Sequence, residues 1–411
     1  MANSISKRAR AMCCLLTLVY FASYTMRINF AVMIVKVCSD MQLEKSALAI
    51  VLTGLTVAYG AGQVINGFVG DKIAPRTMIS VGLALAAACN MAMYFSHNLV
   101  LMTVIWTING FAHSMLWPPI VRTMTENFRG EEYSYAAVRV SWGSSIATIL
   151  LYLVCPFLLG YMSWRSIIAI CSLIGVAVLV LWIPTSKRLF QNTISAKKDI
   201  SAPDAHSPLP RYAFIPVVLI MLGIIFQGML RDGVTNWVPS LLNESFGISE
   251  ENAIFVTVIP AIFSMIVLYA FDILHRKLLK NEVFCATVIF GAAMLFGAVM
   301  YLCDILSPSA LLSTLFVTLI IACMHGINLM LISIAPKRFA KSGKVSTFSG
   351  ILNSCTYIGA SVATPLFAAL AEGSGWSACV LSWAVISALG LTVCLLAFPL
   401  WRKFRREYSD I

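Results

Sequence analysis

Apolar residues fall along this chain in runs too long for strands and too unbroken for amphipathic surface helices. Twelve runs stand out, at about 11–35, 46–69, 76–96, 99–121, 134–160, 164–184, 212–241, 253–273, 282–303, 309–335, 346–371 and 376–400. Each approaches or exceeds the ~20 residues that carry a helix across the hydrocarbon core of a bilayer. Short polar stretches separate them, except for one long stretch, KRLFQNTISAKKDISAPDAHSPLPR. The pattern predicts an all-α membrane protein with twelve transmembrane helices. It divides into a six-helix bundle over 1–186, a cytoplasmic linker over 187–211 and a second six-helix bundle over 212–411. The short alternating segments of an outer-membrane barrel are not the pattern here.

Composition agrees. Hydrophobic residues make up 59% of the chain and charged residues 11%, with a mean hydropathy of +0.86; soluble domains carry about 25% charged residues. The net charge of +11 is distributed in a way that excludes nucleic acid as its explanation. With the N-terminal KRAR placed inside, the outer loops hold only Lys36, Lys45 and Arg165. The other basic residues lie in the termini and inner loops, apart from Arg27, Arg139 and Arg231 within the spans. That asymmetry is the positive-inside pattern and predicts that both termini are cytoplasmic. The first apolar run is too long for a cleaved signal and reads as the first span. The twelve cysteines lie mostly within spans, without CxxC or metal spacing, and read as packing residues. Cys38 and Cys303 fall near the outer face. With no Walker loop, HExxH or GxSxG, no enzyme, cofactor or metal is predicted.

Two embedded arginines organise the rest. Arg27 sits inside LVYFASYTMRINFAVMIV, where a buried cation costs about 2.5–3.5 kcal/mol and by default has a partner or a task. Arg231 occupies a comparable depth in the seventh span. Asp71 follows Arg27 between spans two and three, and Asp272 follows Arg231 between spans eight and nine, at similar intervals. Two six-helix halves in parallel repeat form a recurrent secondary-transporter architecture with the substrate site near the midplane, so the two arginines are expected to face each other across a cavity. A guanidinium offers bidentate hydrogen bonds to phosphate or carboxylate and stays charged at physiological pH. Thr56, Tyr59, Gln63 and Asn66 share one face of span two, which predicts a polar stripe turned to the bundle interior. Tyr24 stands one turn before Arg27.

The stretch GFVGDKIAPR, with Gly67, Asp71, Lys72 and Arg76, resembles the loop signature of the major facilitator superfamily, in which an acid and basic residues tie helix ends together; Asp272 is its second-half counterpart. MRINFAV, AYGAGQ, NGFAHSMLWPP and LRDGVTNWVPSLL together resemble the organophosphate:phosphate antiporter family. The resemblance implies the major facilitator fold and exchange of a sugar or glycerol phosphate for inorganic phosphate by alternating access. It also implies a monomer in a bacterial inner membrane, with no partner beyond lipid and small anions. It assigns Arg27 and Arg231 to the substrate phosphate and matches Tyr59 to the family's tyrosine. Three positions depart: Gln63 stands where a lysine is usual, Trp142 near a usual histidine, and Asp232 after Arg231. Adjacent helical residues point about 100° apart, so Asp232 need not touch the site, while pairing of Arg231 with this neighbouring acid stays open as the alternative.

Arg139 in span five is expected to supply a third cation in place of the missing lysine, with a snorkelling interfacial arginine as the rival reading. Gln227 with Arg231, His325 with Asn328, and Asn353 with Tyr357 each share a helix face and are second-half substrate-site candidates. His113 and His325 lie in corresponding spans, where either packing or a proton relay is open. Two alternatives to organophosphate exchange remain: an organic-carboxylate symporter of the same superfamily, and a transporter-like sensor of sugar phosphate.

Overall fold

The computed structural model describes residues 5–43, 45–198, 207–248, 256 and 258–409. Among the described residues the regular structure is entirely helical. The first half runs α1 (Lys7–Val32), α2 (Ile34–Met41), α3 (Lys45–Lys72), α4 (Pro75–Tyr94), α5 (Leu99–Ser114), α6 (Trp117–Asn127), α7 (Glu131–Leu159) and α8 (Trp164–Lys198). The second runs α9 (Phe214–Gly228), a π-helical turn (Met229–Gly233), α10 (Val234–Phe246), α11 (Val258–Leu274), α12 (Glu282–Leu306), α13 (Ala310–Asn328) and α14 (Val345–Phe404). Helix α8 continues through Lys198, well into the expected linker; positions 199–206 of that linker lie outside the described residues. So do 253–255 and 257 at the start of the expected eighth span.

Among the described residues, eleven helical stretches are long and apolar enough to cross a membrane. The difference from twelve lies in α14. Its 60 residues would reach about 90 Å at 1.5 Å each, three times a hydrocarbon core. Gly375 interrupts it at φ 81 and ψ 171, backbone that an L side chain rarely adopts. That break falls between the eleventh and twelfth expected spans. The fourth span is broken too. Pro118 and Pro119 open α6 directly after the Met115–Leu116 turn, where a missing N–H does no harm because first-turn donors have no helical acceptor.

The chain forms two compact units. One comprises Met1–Ser207 with Ala340–Ile351, the other Pro208–Phe339 with Leu352–Ile411. In the first, α3 packs on α5, α1 on α7 and α4 on α8. Its interior includes Trp106 and Trp164, both against Phe30. In the second, α13 packs on α11 and α12, and Trp383 meets Phe367. Lipid is as apolar as leucine, so close backbone approach carries much of helix association in a bilayer. Gly228 shows this: a Cβ there would sit 2.1 Å from the Thr356 carbonyl oxygen.

Candidate functional site

In the first unit Arg27 lies against two tyrosine rings. Its guanidinium carbon is 3.9 Å from the centroid of Tyr59 and 5.3 Å from that of Tyr24. Tyr24 packs edge-on against Tyr20 at 5.0 Å, and Tyr20 rests on Trp117 at 4.9 Å. The tryptophan that follows the break in the fourth span therefore buttresses the wall behind Arg27. The backbone just before Arg27 is clamped as well. The Met26 carbonyl accepts from Asn90 Nδ2 at 2.9 Å and Asn109 Nδ2 at 3.1 Å, and Asn29 Nδ2 donates to Asn90 Oδ1 at 2.8 Å. All three asparagines are fully buried. His113 Nδ1 and Ser23 Oγ share a hydrogen bond at 3.0 Å. This cluster was missed in the sequence; its one signal was three asparagines inside apolar spans, and their convergence is a tertiary fact.

The span-two stripe is divided in its roles. Tyr59 reaches Arg27, and Asn66 Nδ2 donates to Ser114 Oγ at 2.7 Å. Gln63 is fully buried, and neither amide atom has a hydrogen-bond partner among the described residues. Asp71 accepts the backbone N–H groups of Ser346 at 2.8 Å and Thr347 at 3.0 Å, and the Thr347 hydroxyl also donates to it. A carboxylate thus caps the N-terminus of α14, where the helix dipole favours negative charge. Gly67 permits the approach, since a Cβ there would lie 2.9 Å from the Ser346 carbonyl. Lys72 is exposed. Arg76 ties α4 to α8 through Ser186 Oγ at 3.0 Å and the Ile183 carbonyl at 2.9 Å. Arg122, not singled out in the sequence, donates to the Gly70 carbonyl at 2.6 Å at the end of α3.

Arg139 is exposed and stacks on rings of its own helix, Tyr135 at 4.3 Å and Trp142 at 5.5 Å. It shares its helix face with the exposed apolar residues Ile146, Leu150, Leu153 and Phe157. That placement matches the interfacial reading at least as well as a third cation beside Arg27.

In the second unit Arg231 sits within the π-helical turn Met229–Gly233, a geometry frequent at functional sites. Its Nε and Nη2 donate to Asp232 Oδ1 and Oδ2 at 2.7 and 2.9 Å, a bidentate ion pair. Of the two readings left open for Asp232, this geometry is the one in which it pairs with Arg231. The widened turn and the length of the arginine stem let the guanidinium fold back onto its neighbour. His325 lies within electrostatic reach of both residues. Gln227 is occupied in packing, donating to the Met324 carbonyl at 3.1 Å and accepting from Thr356 Oγ1 at 3.3 Å. Asn353 and Tyr357 are buried one turn apart on α14. Asp272 pairs with Arg276 at 2.8 Å. The strongest charge cluster of this unit was not anticipated: fully buried Glu282 binds Arg338 at 2.9 Å, Arg405 at 3.0 Å and Trp401 Nε1 at 3.1 Å. Its members are scattered through the sequence and only the fold gathers them.

Each unit thus holds an arginine inside a membrane-spanning helix, seated on aromatic rings in one and on a carboxylate in the other. Such groups bind oxyanions; among the described residues no group of three or more His, Cys, Asp or Glu has metal-holding geometry. The chain is 26% identical over 262 residues to a glycerol-3-phosphate transporter of Bacillus subtilis, covering 57% of each protein. It is 24% identical over 392 residues to a phosphoglycerate transporter protein of Salmonella typhimurium, covering 87% of this chain and 82% of that one. The crystal structure of a transporter, FucP, in the outward conformation superposes with a TM-score of 0.67 at 14% identity, covering 94% of this chain and 98% of that one. That likeness concerns the fold. The family model described as Major Facilitator Superfamily matches residues 16–364. This multi-pass membrane protein belongs to the major facilitator superfamily, a family of transporters and not of enzymes.

Proposed function

We propose that the protein carries a small organophosphate, a sugar or glycerol phosphate, across a bacterial plasma membrane in exchange for inorganic phosphate by alternating access. The observation that carries this reading is Arg27, a permanent cation held inside a spanning helix on the faces of Tyr24 and Tyr59. The names of the B. subtilis and S. typhimurium relatives support the phosphate-ester class. Arg27 and Arg231 bind the phosphate oxygens. Tyr59 and Tyr24 orient Arg27, and Gln63 offers a donor and an acceptor to a hydroxyl of the organic moiety. His325, Asn353 and Tyr357 furnish second-half contacts, with both termini in the cytoplasm.

The test is uptake of labelled glycerol-3-phosphate and hexose phosphate into proteoliposomes. Vesicles preloaded with phosphate should take up the ester faster than empty ones. Equal rates refute exchange, and no protein-dependent uptake of any phosphate ester refutes the substrate class. One observation favours a second reading. The Arg231–Asp232 pair lowers the positive charge of the second unit, which suits a monoanionic carboxylate. A thermal shift with carboxylates but none with phosphate esters would select it.

A further inference from the structure

We propose that Asp232 is a built-in counter-ion that replaces the anionic substrate at Arg231 when the carrier is empty, and so gives the protein a net-uptake mode beside exchange. The inference rests on the reading of Arg231 as a substrate-binding group.

The Asp232 carboxylate engages Nε and Nη2 of Arg231 in the two parallel bonds that a phosphate or carboxylate ligand would make to the same edge. The pair is open to exchange of partners, since the Asp232 side chain is 33% exposed and that of Arg231 14%. An incoming oxyanion competes for those donors, and the displaced carboxylate is solvated where it stands. The two units differ here in kind. The rings of Tyr24 and Tyr59 stabilise the cation of Arg27 through their quadrupoles but bring no negative charge. Asp232 brings a full one.

That difference bears on the transport cycle. A carrier whose site cations lack counter-charge is penalised when it reorients empty, because burying an uncompensated guanidinium in a membrane is unfavourable. Exchange then dominates, as each reorientation takes an anion with it. With Asp232 seated on Arg231 the penalty in the second unit falls, and the empty form returns often enough to allow net uptake. The counter-ion also lowers anion affinity, because binding must first displace it.

The experiment uses the full chain in proteoliposomes with labelled inorganic phosphate outside and either unlabelled phosphate or buffer inside. The parent should show rapid uptake into loaded vesicles and slower uptake into empty ones, above protein-free background. In Asp232→Asn the ratio of empty to loaded uptake should fall at least about tenfold, and phosphate should bind several-fold tighter in a thermal-shift titration. Asp232→Glu, which keeps the charge, should restore both. A parent without empty-vesicle uptake, an Asp232→Asn protein with the parental ratio and affinity, or an Asp232→Glu protein as impaired as Asp232→Asn overturns the counter-ion role. In each of these cases loaded-vesicle exchange still stands. Loss of exchange in the parent itself instead removes the transport reading, and this inference with it.

Discussion

The guanidinium of Arg27 lies 3.9 Å above the ring of Tyr59, and that contact links the first span to the second at membrane depth. Desolvated cation–π contacts are worth about 1–2 kcal/mol. We predict that Tyr59→Leu weakens phosphate-ester binding by roughly five- to thirtyfold. Tyr59→Phe, which keeps the ring, should stay within about threefold of the parent. Isothermal titration of the purified protein reads both, and a Tyr59→Leu protein with parental affinity removes this ring from the site.

Asn90 joins Asn29, Asn109 and the Met26 and Ala86 carbonyls in one buried cluster. Replacing it with leucine removes a donor to the two carbonyls and to Asn109 Oδ1, and takes the acceptor from Asn29 Nδ2, in an apolar interior. We predict a loss of about 1–3 kcal/mol, with a clear drop in Tm in detergent. The same variant should bind anion more weakly, since the clamped carbonyl belongs to the residue before Arg27. An unchanged Tm would show that the cluster contributes no stability.

Asp71 caps the first turn of α14 through two backbone N–H groups. Asp71→Asn removes the charge and should weaken the cap by about 1–2 kcal/mol. Hydrogen exchange then accelerates at the amides of Ser346 and Thr347, whereas a distant peptide such as one from α12 keeps its parental rate. Parental exchange at those two amides would show that neutral asparagine caps equally well.

Glu282 pairs with two arginines, Arg338 and Arg405, while itself fully buried. Removing one side of a buried ion pair typically costs about 3–5 kcal/mol, because a buried charge remains behind. Glu282→Gln should therefore give little monodisperse protein by size-exclusion chromatography. Adding Arg338→Met should recover part of the yield by removing one stranded cation. A monodisperse, parentally stable Glu282→Gln protein would show that water reaches the cluster.

The spans, their approximate limits and the two embedded arginines were legible in the sequence. Hydrocarbon imposes length and apolarity on any helix that crosses it, and that constraint is local in the chain. The GFVGDKIAPR loop was readable as a short motif, but its partner was not, since Asp71 caps α14 at Ser346, 275 positions away. Partnership was not legible. Nothing in the order of residues says that Asn29, Asn90 and Asn109 converge, that Glu282 gathers Arg338 and Arg405, or that Gln227 is consumed in packing. These contacts join residues tens to more than a hundred positions apart, and only helix packing decides which polar groups meet. Ideal α-helical spacing left open whether the neighbours Arg231 and Asp232 meet, and within the π-helical turn that holds them they do. By itself the sequence determined a membrane-spanning helical chain with cations in its interior; tertiary structure alone decided what each cation rests on, since that depends on side chains folding onto partners rather than on position along the chain.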